Sequence, residues 1–391
     1  MRGSNFRRAV VAALVVILAA CEPPPPPPPP QLTLTPVDYA ELDGWSADDP
    51  TAALVAFRRS CAKLSGLPQA RAMSPGGIGG TVADWLKVCA DAGALADPDA
   101  ETTRRFFASR FVPHRVGFGD DDQGLFTGYY EAELHGAWQR KPPFTVPLYA
   151  PPRDMITADL RLFDPGLAGR RIIGRIKDGQ LIPYHNRAEI DAGALAGRNL
   201  ELLWVDDPID AFFLQIQGSG RVRMADGRVE RVGYASKNGH PYVAIGRPLI
   251  ERGAIPKEQM SMQAIRRWLA DHPAERDAVM NLNPSYVFFR RIDGDGPIGA
   301  QGVVLTPGRS LAVDTSLLPL GAPIWLDTTE PLSPETPLRR LVIAQDTGGA
   351  IKGAIRGDLF WGHGDDAAAK AGAMKQQGRY YLLLPKPAPT S

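Results

Sequence analysis

Apolar side chains recur every three or four residues in several segments of the chain, and this spacing predicts amphipathic helices. Asp49-Pro50 is a typical start signal for the first of them. The predicted helices carry Leu54, Phe57, Cys61 and Leu64; Val82, Trp85, Leu86 and Cys89; the stretch from Asp97 to Phe111; and the stretch from Met260 to Leu269.

From residue 124 onward the pattern changes to short segments in which apolar and polar residues alternate, as in half-buried strands. Asp226-Gly227 is typical of the turn in a hairpin between two such strands. The 40 glycines and 37 prolines among 391 residues also favour β-structure with many turns. We therefore predict a mainly β protein with N-terminal and connecting helices. Its predicted strands include Gly124–Glu133, Arg171–Ile176 and Ala211–Gln217, with a second β-region from Pro284 to Leu384.

One stretch near the C-terminus places two carboxylates beside two predicted strands. The first strand runs from Leu341 to Ala344 and ends on Asp346, and the second covers Ile351–Ile355, shortly before Asp358. Glycines between these segments permit tight bends. Both carboxylates would then project into a common cleft. The alternative is that each aspartate only caps a turn, as aspartates beside glycine often do.

Three apolar residues follow Asp358 directly in the chain. Leu359, Phe360 and Trp361 would exclude water from its carboxyl group and raise the pKa of that group, as a general acid requires. Asp314 is a third aspartate at the end of a predicted strand.

The N-terminus has the pattern of a secretory signal. Three arginines precede the apolar run Ala9–Ala20, which is too short to span a bilayer. The run ends in Leu18-Ala-Ala-Cys21, which resembles the bacterial lipobox, so we expect residues 1–20 to be removed and Cys21 to be lipidated. Glu22 at the next position implies an outer-membrane lipoprotein that faces the periplasm.

A run of prolines, Pro23–Pro30, predicts a stiff extended tether of about 25 Å within residues 21–37. Loss of residues 1–20 would change the formal net charge from +1 to −2. We predict no nucleic-acid partner, because nucleic-acid binders carry a basic patch. We also predict no metal and no cofactor, since the histidines are scattered without the spacing of metal ligands.

Two cysteines, Cys61 and Cys89, lie in the predicted helices. An exported protein meets an oxidising compartment, where two cysteines usually pair. Two buried reduced thiols are the alternative.

Six sequence blocks together resemble the membrane-bound lytic murein transglycosylase A family, and they occur in the family's order. They extend from about residue 124 to residue 384, roughly two thirds of the chain. The blocks are Gly124-Leu-Phe-Thr-Gly-Tyr-Tyr-Glu131, Gln215-Ile-Gln-Gly-Ser-Gly220, Gly233-Tyr-Ala-Ser-Lys-Asn-Gly-His-Pro-Tyr242, Met260-Ser-Met-Gln-Ala-Ile265, Asn283-Pro-Ser-Tyr-Val-Phe-Phe-Arg290, and the segment from Asp346-Thr-Gly-Gly-Ala-Ile-Lys-Gly353 to Asp358.

The resemblance implies a double-psi β-barrel with a second, smaller β-barrel inserted into it. The first would comprise residues 38–124 and 236–386, and the insert residues 125–235. A glycan strand would lie in the groove between them. The family's three aspartates fall on Asp314, Asp346 and Asp358, and its catalytic acid/base falls on Asp358. The interval between Asp346 and Asp358 is one residue longer than in some family members.

The implied activity is cleavage of the β-1,4 bond between MurNAc and GlcNAc in peptidoglycan, with formation of a 1,6-anhydro sugar. The implied partners are peptidoglycan glycan strands and, through Cys21, the outer-membrane lipid. Other cell-wall enzymes stay open as further partners. Two other functions stay open: a non-catalytic glycan-binding module on the same barrel, and a hydrolytic glycosidase in which Asp346 positions water.

Further positions are candidates for substrate binding by the same resemblance. The tyrosine rings would stack on sugars, and Lys352 would serve as counter-ion to Asp346. For most of these positions an ordinary strand or turn residue is the competing interpretation. The candidates are Thr127, Tyr129, Tyr130, Gln217, Gly218, Ser219, Gly220, Lys237, Asn238 and Lys352.

Overall fold

The computed structural model describes residues 31–294 and 296–387. The predicted signal peptide, the lipidation site Cys21 and the proline run Pro23–Pro30 lie outside the described residues. Among the helices of the described part, none is both long and apolar enough to cross a membrane.

The helices confirm most of the predicted helical segments. Helix α1 begins after Pro50 as predicted, whereas α3 ends at Arg110 because Phe111 already belongs to a strand. The helices are α1 Thr51–Leu64, α2 Val82–Ala94, α3 Ala100–Arg110, α4 Arg187–Glu189, α5 Pro208–Gln217, α6 Gly246–Glu251, α7 Met262–Asp271, α8 Pro273–Met280 and α9 Asp365–Ala373.

The strands confirm a mainly β fold. They are β1 Leu32–Pro36, β2 Phe111–Phe118, β3 Gly124–Ala137, β4 Val146–Tyr149, β5 Ile156–Asp159, β6 Arg171–Lys177, β7 Gln180–Pro183, β8 Glu201–Val205, β9 Ser219–Met224, β10 Val229–Lys237, β11 Val287–Arg291, β12 Ser310–Ala312, β13 Pro323–Glu330, β14 Ser333–Asp346, β15 Arg356–His363 and β16 Lys375–Pro385.

Strands from both ends of the chain close into a barrel. The order is β16, β13, β14, β12, β15 and β3, and β3 pairs back onto β16. The β12–β14 and β15–β3 pairs are parallel, and the others are antiparallel. Phe126, Leu311, Trp325 and Leu359 are fully buried in its core, against which α1, α2 and α3 also pack. This closed, mixed barrel is consistent with the predicted double-psi β-barrel.

Strand β3 belongs to two sheets. Its first half pairs with β15 in the barrel, and its second half pairs with β8 and β9. The second sheet therefore runs β4, β8, β3, β9, β10, β11, over a core that includes Leu134, Val222 and Val232. Because β11 pairs with β10, this sheet takes in residues beyond 235, where the predicted insert ends.

The segment Ala211–Gln217, predicted as a strand, is helical. Asp207 accepts a hydrogen bond from the amide of Ile209 at 2.7 Å, Pro208 occupies the first turn, and Gly218 ends the helix in the left-handed conformation. A short apolar run fits the spacing of a helix and of a strand equally well. The capping residues at its two ends therefore decide that this segment is a helix.

Two other predicted boundaries are wrong. Residues 351–355 form a loop rather than a strand, and β15 starts only at Arg356, so that Asp358 lies inside a strand. Residues assigned to the tether also belong to the fold. Leu32–Pro36 pairs with β2, because its alternating leucines pack against the barrel core.

Cys61 on α1 and Cys89 on α2 form a disulfide, as predicted. The bond joins two helices that pack on the barrel and closes a loop with a sequence separation of 28. In the chain-entropy account, a loop of this length stabilises the folded state by about 3 kcal/mol.

The double variant Cys61→Ala, Cys89→Ala should therefore unfold at lower denaturant, with a loss of about 3 kcal/mol in the free energy of unfolding. Urea unfolding of parent and variant, each without reductant, measures this difference. The reduced parent is the matched control and should behave like the variant. Equal stability of reduced and oxidised parent would contradict the prediction.

Candidate active site

Strand pairing places two of the three predicted aspartates in one cross-strand row. On β12, Ala312 lies opposite Asp346 of β14 on one side and opposite Asp358 of β15 on the other. Thr127 of β3 lies opposite Asp358 and completes the row. Neighbouring strands are about 4.8 Å apart, so the two carboxylate-bearing backbones are separated by about 10 Å.

The carboxyl group of Asp358 accepts a hydrogen bond on one of its two oxygens only, within the described residues. The Thr127 hydroxyl donates to its Oδ1 at 2.5 Å, and Arg356 Nη2 donates to the Thr127 hydroxyl at 2.8 Å. Its other oxygen, Oδ2, accepts no hydrogen bond within the described residues. Burial raises the pKa of Asp358 to about 6, with a further contribution from Asp346, although the Thr127 hydrogen bond and Arg356 oppose the shift.

The direction of this pKa shift confirms the prediction, but the apolar shield differs from the predicted one. Side chains alternate along a strand, so only Phe360 shares the side of Asp358. Its ring packs against Tyr129 at 5.2 Å between centroids. Leu359 points into the barrel core, and Trp361 donates to the sulfur of Met374 at 3.4 Å.

Asp346 is bound through both of its oxygens. Oδ1 accepts from the amides of Ala300 at 2.8 Å and Thr347 at 2.9 Å, and Oδ2 accepts from the Tyr129 hydroxyl at 2.8 Å. Burial raises the pKa of Asp346, while these hydrogen bonds oppose the increase. Asp346 thus has a fixed orientation, whereas Asp358 keeps one oxygen available.

Asp314 has a different environment. It is 4% exposed, and accepts from the Ser316 hydroxyl at 2.7 Å and from the Gly353 amide at 3.0 Å. Burial favours a higher pKa for Asp314, but these hydrogen bonds, with Lys352, outweigh it and lower the pKa. Asp314 therefore anchors the loop that connects Asp346 to Asp358.

Lys352 was predicted to be the counter-ion of Asp346, and this is wrong. Its ammonium group lies 3.6 Å from Asp314 Oδ1. The reason is local: the neighbouring Gly353 amide fixes the loop on Asp314, and Lys352 follows it.

The two predicted stacking tyrosines are buried, each 8% exposed. The Tyr129 ring packs on Phe360, and Tyr130 lies in the core of the second sheet. Neither ring is available to stack on a sugar. The Tyr130 amide donates to Gln217 Oε1 at 3.1 Å, so Gln217 also has a structural contact.

The glycines of the Gly218-Ser-Gly220 segment have structural roles. The Gly218 amide donates to the Leu214 carbonyl at 2.8 Å and ends α5. Gly220 pairs within the second sheet, where a Cβ would come within 2.4 Å of Leu214. Ser219 lies on the opposite side of β9 from that core, and its predicted role in substrate binding remains a prediction.

Asn238 is a structural residue rather than a substrate ligand. It is 1% exposed, and its Nδ2 donates to the carbonyls of His185 and Pro284, both at 2.9 Å. Its Oδ1 accepts from the Tyr286 amide at 2.9 Å. Lys237 is exposed at the end of β10, and its predicted role remains untested.

Arg356 is the main site residue that the sequence interpretation missed. Its position two residues before Asp358 would have revealed it, because alternate residues of a strand share a side. This signal was hidden by the assignment of a strand to residues 351–355. Within residues 31–294 and 296–387, no three histidine, cysteine or acidic side chains converge to hold a metal ion.

A partly buried carboxyl with a raised pKa and one unoccupied oxygen defines a site for acid–base chemistry. Two family models match the chain: the MltA specific insert domain over residues 125–290, and the 3D domain over residues 309–384.

Known proteins agree with these matches. Membrane-bound lytic murein transglycosylase A of Vibrio cholerae is 36% identical over 281 residues, which cover 70% of this chain and 69% of that protein. The crystal structure of a membrane-bound lytic murein transglycosylase from Agrobacterium tumefaciens has a TM-score of 0.81 at 34% identity, covering 90% of this chain and 98% of that chain.

A third similar protein is Escherichia coli MltA, solved with bound chitohexaose, with a TM-score of 0.65 at 27% identity, covering 92% of this chain and 93% of that chain. Together these similarities confirm the resemblance seen in the sequence. The chain belongs to the membrane-bound lytic murein transglycosylase A family.

The environment of Asp358 predicts a pH-dependent gain of stability in Asp358→Asn. The unfolded carboxyl ionises near pH 3.8, whereas the folded one does so near pH 6. The parent therefore loses stability as the pH rises between these values and then stays at the lower level. The full pKa shift of Asp358 would lower the free energy of unfolding of the parent by at most about 3 kcal/mol. Because Asp358 is partly exposed, we expect Asp358→Asn to raise the free energy of unfolding by about 1–2 kcal/mol.

Denaturant unfolding at pH 4 and at pH 8 measures this gain, which should be present only at pH 8. Asp226→Asn is the matched control, because Asp226 is an exposed aspartate whose pKa is lowered by its hydrogen bonds with Arg228. It should not stabilise the protein at pH 8. An equal gain from Asp358→Asn at both pH values would contradict the prediction.

Proposed function

We propose that this protein is an enzyme, a peptidoglycan lytic transglycosylase that cleaves the β-1,4 bond between MurNAc and GlcNAc and forms 1,6-anhydro-MurNAc. The names of its relatives support peptidoglycan as the substrate. The chitohexaose bound to the similar Escherichia coli protein supports a site for an extended glycan.

The observation that carries this proposal is the unequal engagement of the two aspartates. Hydrogen bonds occupy both oxygens of Asp346, whereas Asp358 Oδ2 has no partner within the described residues. Ordinary glycosidases need two active carboxyl groups, one as acid and one as nucleophile or base. A single available carboxyl suits a reaction in which the substrate supplies its own nucleophile.

In the proposed reaction, Asp358 begins as the neutral acid. It donates its proton to the glycosidic oxygen while the bond from that oxygen to C1 of MurNAc breaks. The C6 hydroxyl of the same MurNAc forms the new bond to C1, and the Asp358 carboxylate then accepts the hydroxyl proton. The proton returns to Asp358, the GlcNAc-terminated chain leaves, and no water is consumed.

The surrounding residues prepare Asp358 for both steps. Burial keeps its pKa near 6, so that a fraction of the enzyme carries the proton at neutral pH. Thr127 fixes the orientation of the carboxyl, and Arg356 in turn fixes Thr127. Asp346 raises the pKa of Asp358 through its charge, and Asp314 holds the connecting loop.

Two competing functions have less support. A hydrolase would need Asp346 to position water, but three hydrogen bonds already fix its carboxylate, two on Oδ1 and one on Oδ2. A purely glycan-binding module would have no use for a buried carboxyl with a raised pKa, since burial of an ionisable group reduces stability.

Asp358→Asn should reduce the release of anhydro-muropeptides by at least about 10⁴-fold, because one group serves as both acid and base. Asparagine keeps the shape and can still accept from Thr127, so binding to sacculi should persist. Mass spectrometry of the soluble products distinguishes anhydro sugars from the reducing ends that a hydrolase would leave.

Asp346→Asn is the matched variant for this test. It should lose less activity, since Asp346 orients the site without transferring the proton. If Asp358→Asn turned over at nearly the parental rate, the assignment would be wrong. An inactive Asp346→Asn beside it would move the acid to Asp346.

We also propose that the protein is an outer-membrane lipoprotein facing the periplasm, anchored through lipid on Cys21. Membrane association is supported by the names of the relatives, and the lipobox-like sequence supports the lipid. Cys21 precedes β1, which starts at Leu32 and is the first strand of the described residues. An anchor at Cys21 leaves the folded body unaltered.

Cys21→Ala should therefore move the protein from the membrane fraction to the soluble fraction while the turnover of the purified variant stays at the parental level. Fractionation of cells and a sacculus-digestion assay measure the two effects. The detergent-solubilised parent is the control for turnover. A Cys21→Ala variant that stays in the membrane fraction would exclude this anchor.

A further inference from the structure

A cluster of charged side chains lies beside the proposed active site on the second sheet. It comprises Glu131 and Glu133 of β3, Arg221 of β9 and Arg231 of β10, and we call it the arginine cluster. The register pairs Glu133 with Arg221 and Arg221 with Arg231 across neighbouring strands. The intervening residues on these strands, such as Val222, form the core on the opposite face.

The arginine cluster shares a face with the catalytic candidates. Thr127, Tyr129, Glu131 and Glu133 alternate along β3 and so point to the same side. Glu131 lies four positions after Thr127, a distance of about 13 Å along the strand. His363, at the end of the strand that carries Asp358, lies opposite Glu131.

The charges of the cluster are only partly compensated. Arg223 donates to Glu133 Oε1 twice, at 2.6 and 3.2 Å, and so occupies that carboxylate. Arg231 Nε lies 3.4 Å from Glu131 Oε1 without hydrogen-bond geometry, and Arg221 Nε lies 3.8 Å from Glu133. The cluster's Arg221 and Arg231 and the neighbouring Arg223 therefore share two carboxylates, and Arg223 already engages one of them.

The hydrogen-bonding groups of the cluster are also incomplete. Glu131 is 1% exposed, and its Oε1 has no hydrogen-bond partner within the described residues, nor do the buried Nε atoms of Arg221 and Arg231. Burial raises the pKa of Glu131, although the charges of Arg231 and Arg221 oppose the shift. Three guanidinium groups facing two carboxylates also give this face a net positive charge, and the charge favours an anionic ligand.

We infer that Arg221 and Arg231 bind a carboxylate carried by the lactyl group of a MurNAc residue in the proposed glycan site. The inference rests on the proposed function, since a peptidoglycan strand bound at Asp358 would have to extend along β3 to reach the arginine cluster. A planar guanidinium matches a carboxylate in a two-pronged hydrogen bond. The carboxylate belongs either to the lactyl group itself or to the peptide attached to it.

This contact would distinguish peptidoglycan from uncharged glycans. GlcNAc oligomers have no carboxylate, whereas every MurNAc carries either a lactyl acid or a peptide stem with acids of its own. The arginine cluster would therefore select strands by their side groups, at a distance from the bond that Asp358 cleaves.

Binding measured in an Asp358→Asn background tests the inference without requiring turnover. The probes are peptide-bearing glycan strands, amidase-treated strands that keep only lactyl acids, and chitohexaose. Arg221→Gln should weaken binding of the carboxylate-bearing probe about 10- to 100-fold, the range expected for a hydrogen bond between charged groups. Binding of chitohexaose should change less than about twofold, because a lost carboxylate contact cannot affect an uncharged probe.

The probe that loses affinity identifies the source of the carboxylate. A loss on peptide-bearing strands alone assigns it to the peptide, and a similar loss on amidase-treated strands assigns it to the lactyl acid. Arg221→Lys keeps the charge and should retain intermediate affinity. Near-ultraviolet circular dichroism checks that each variant is folded.

Arg228→Gln is the matched control, because it removes one positive charge from the turn of the same hairpin, where Arg228 pairs with Asp226. An equal effect of Arg228→Gln and Arg221→Gln would overturn the inference, since net charge would then suffice. An equal loss on chitohexaose would overturn it as well. Failure of the proposed function would instead appear as a parent protein that releases no anhydro products.

Discussion

The parallel pairing of β15 with β3 is the constraint on which the site depends. It brings Thr127 to Asp358, although the two residues are 231 positions apart in the chain. The same pairing places Tyr129 beside Phe360, from where its hydroxyl reaches Asp346. Since β3 also continues into the second sheet, one strand connects the proposed catalytic group to that sheet.

Burial and hydrogen bonding act in opposite directions on the three aspartates. Burial raises the pKa of Asp358 and Asp346, and hydrogen bonds to their carboxylates reduce the increase. At Asp314 the hydrogen bonds outweigh burial, so its pKa is lowered. One barrel thus holds carboxyl groups with different proton affinities, as the proposed division between one acid and two positioning aspartates requires.

The site and the proposed carboxylate-binding cluster have a common structural basis. Both lie on the face of β3 opposite the core residues Phe126 and Leu134, and both depend on charged groups that are only partly satisfied by the protein. Such groups reduce the stability of the folded chain. The extensive barrel core, with residues such as Trp325 and Leu341 fully buried, supplies the stability that offsets this cost.

Local patterns were sufficient for much of the fold. Periodicity identified α1, α2 and α7, alternation identified β3 and β6, and the motif order identified the family. Local patterns failed at α5, because a short apolar run fits both helical and strand spacing. They also failed at β15, because this strand begins without a turn signal in the sequence.

The sequence by itself determined which residue types are present for acid–base chemistry and the order of the elements that carry them. Tertiary structure decided which of these residues meet. It moved Lys352 to Asp314, buried Tyr129 and Tyr130, and introduced Arg356 beside Thr127. The physical reason is that strand register and the direction of each side chain depend on pairing between distant segments, which local sequence does not encode.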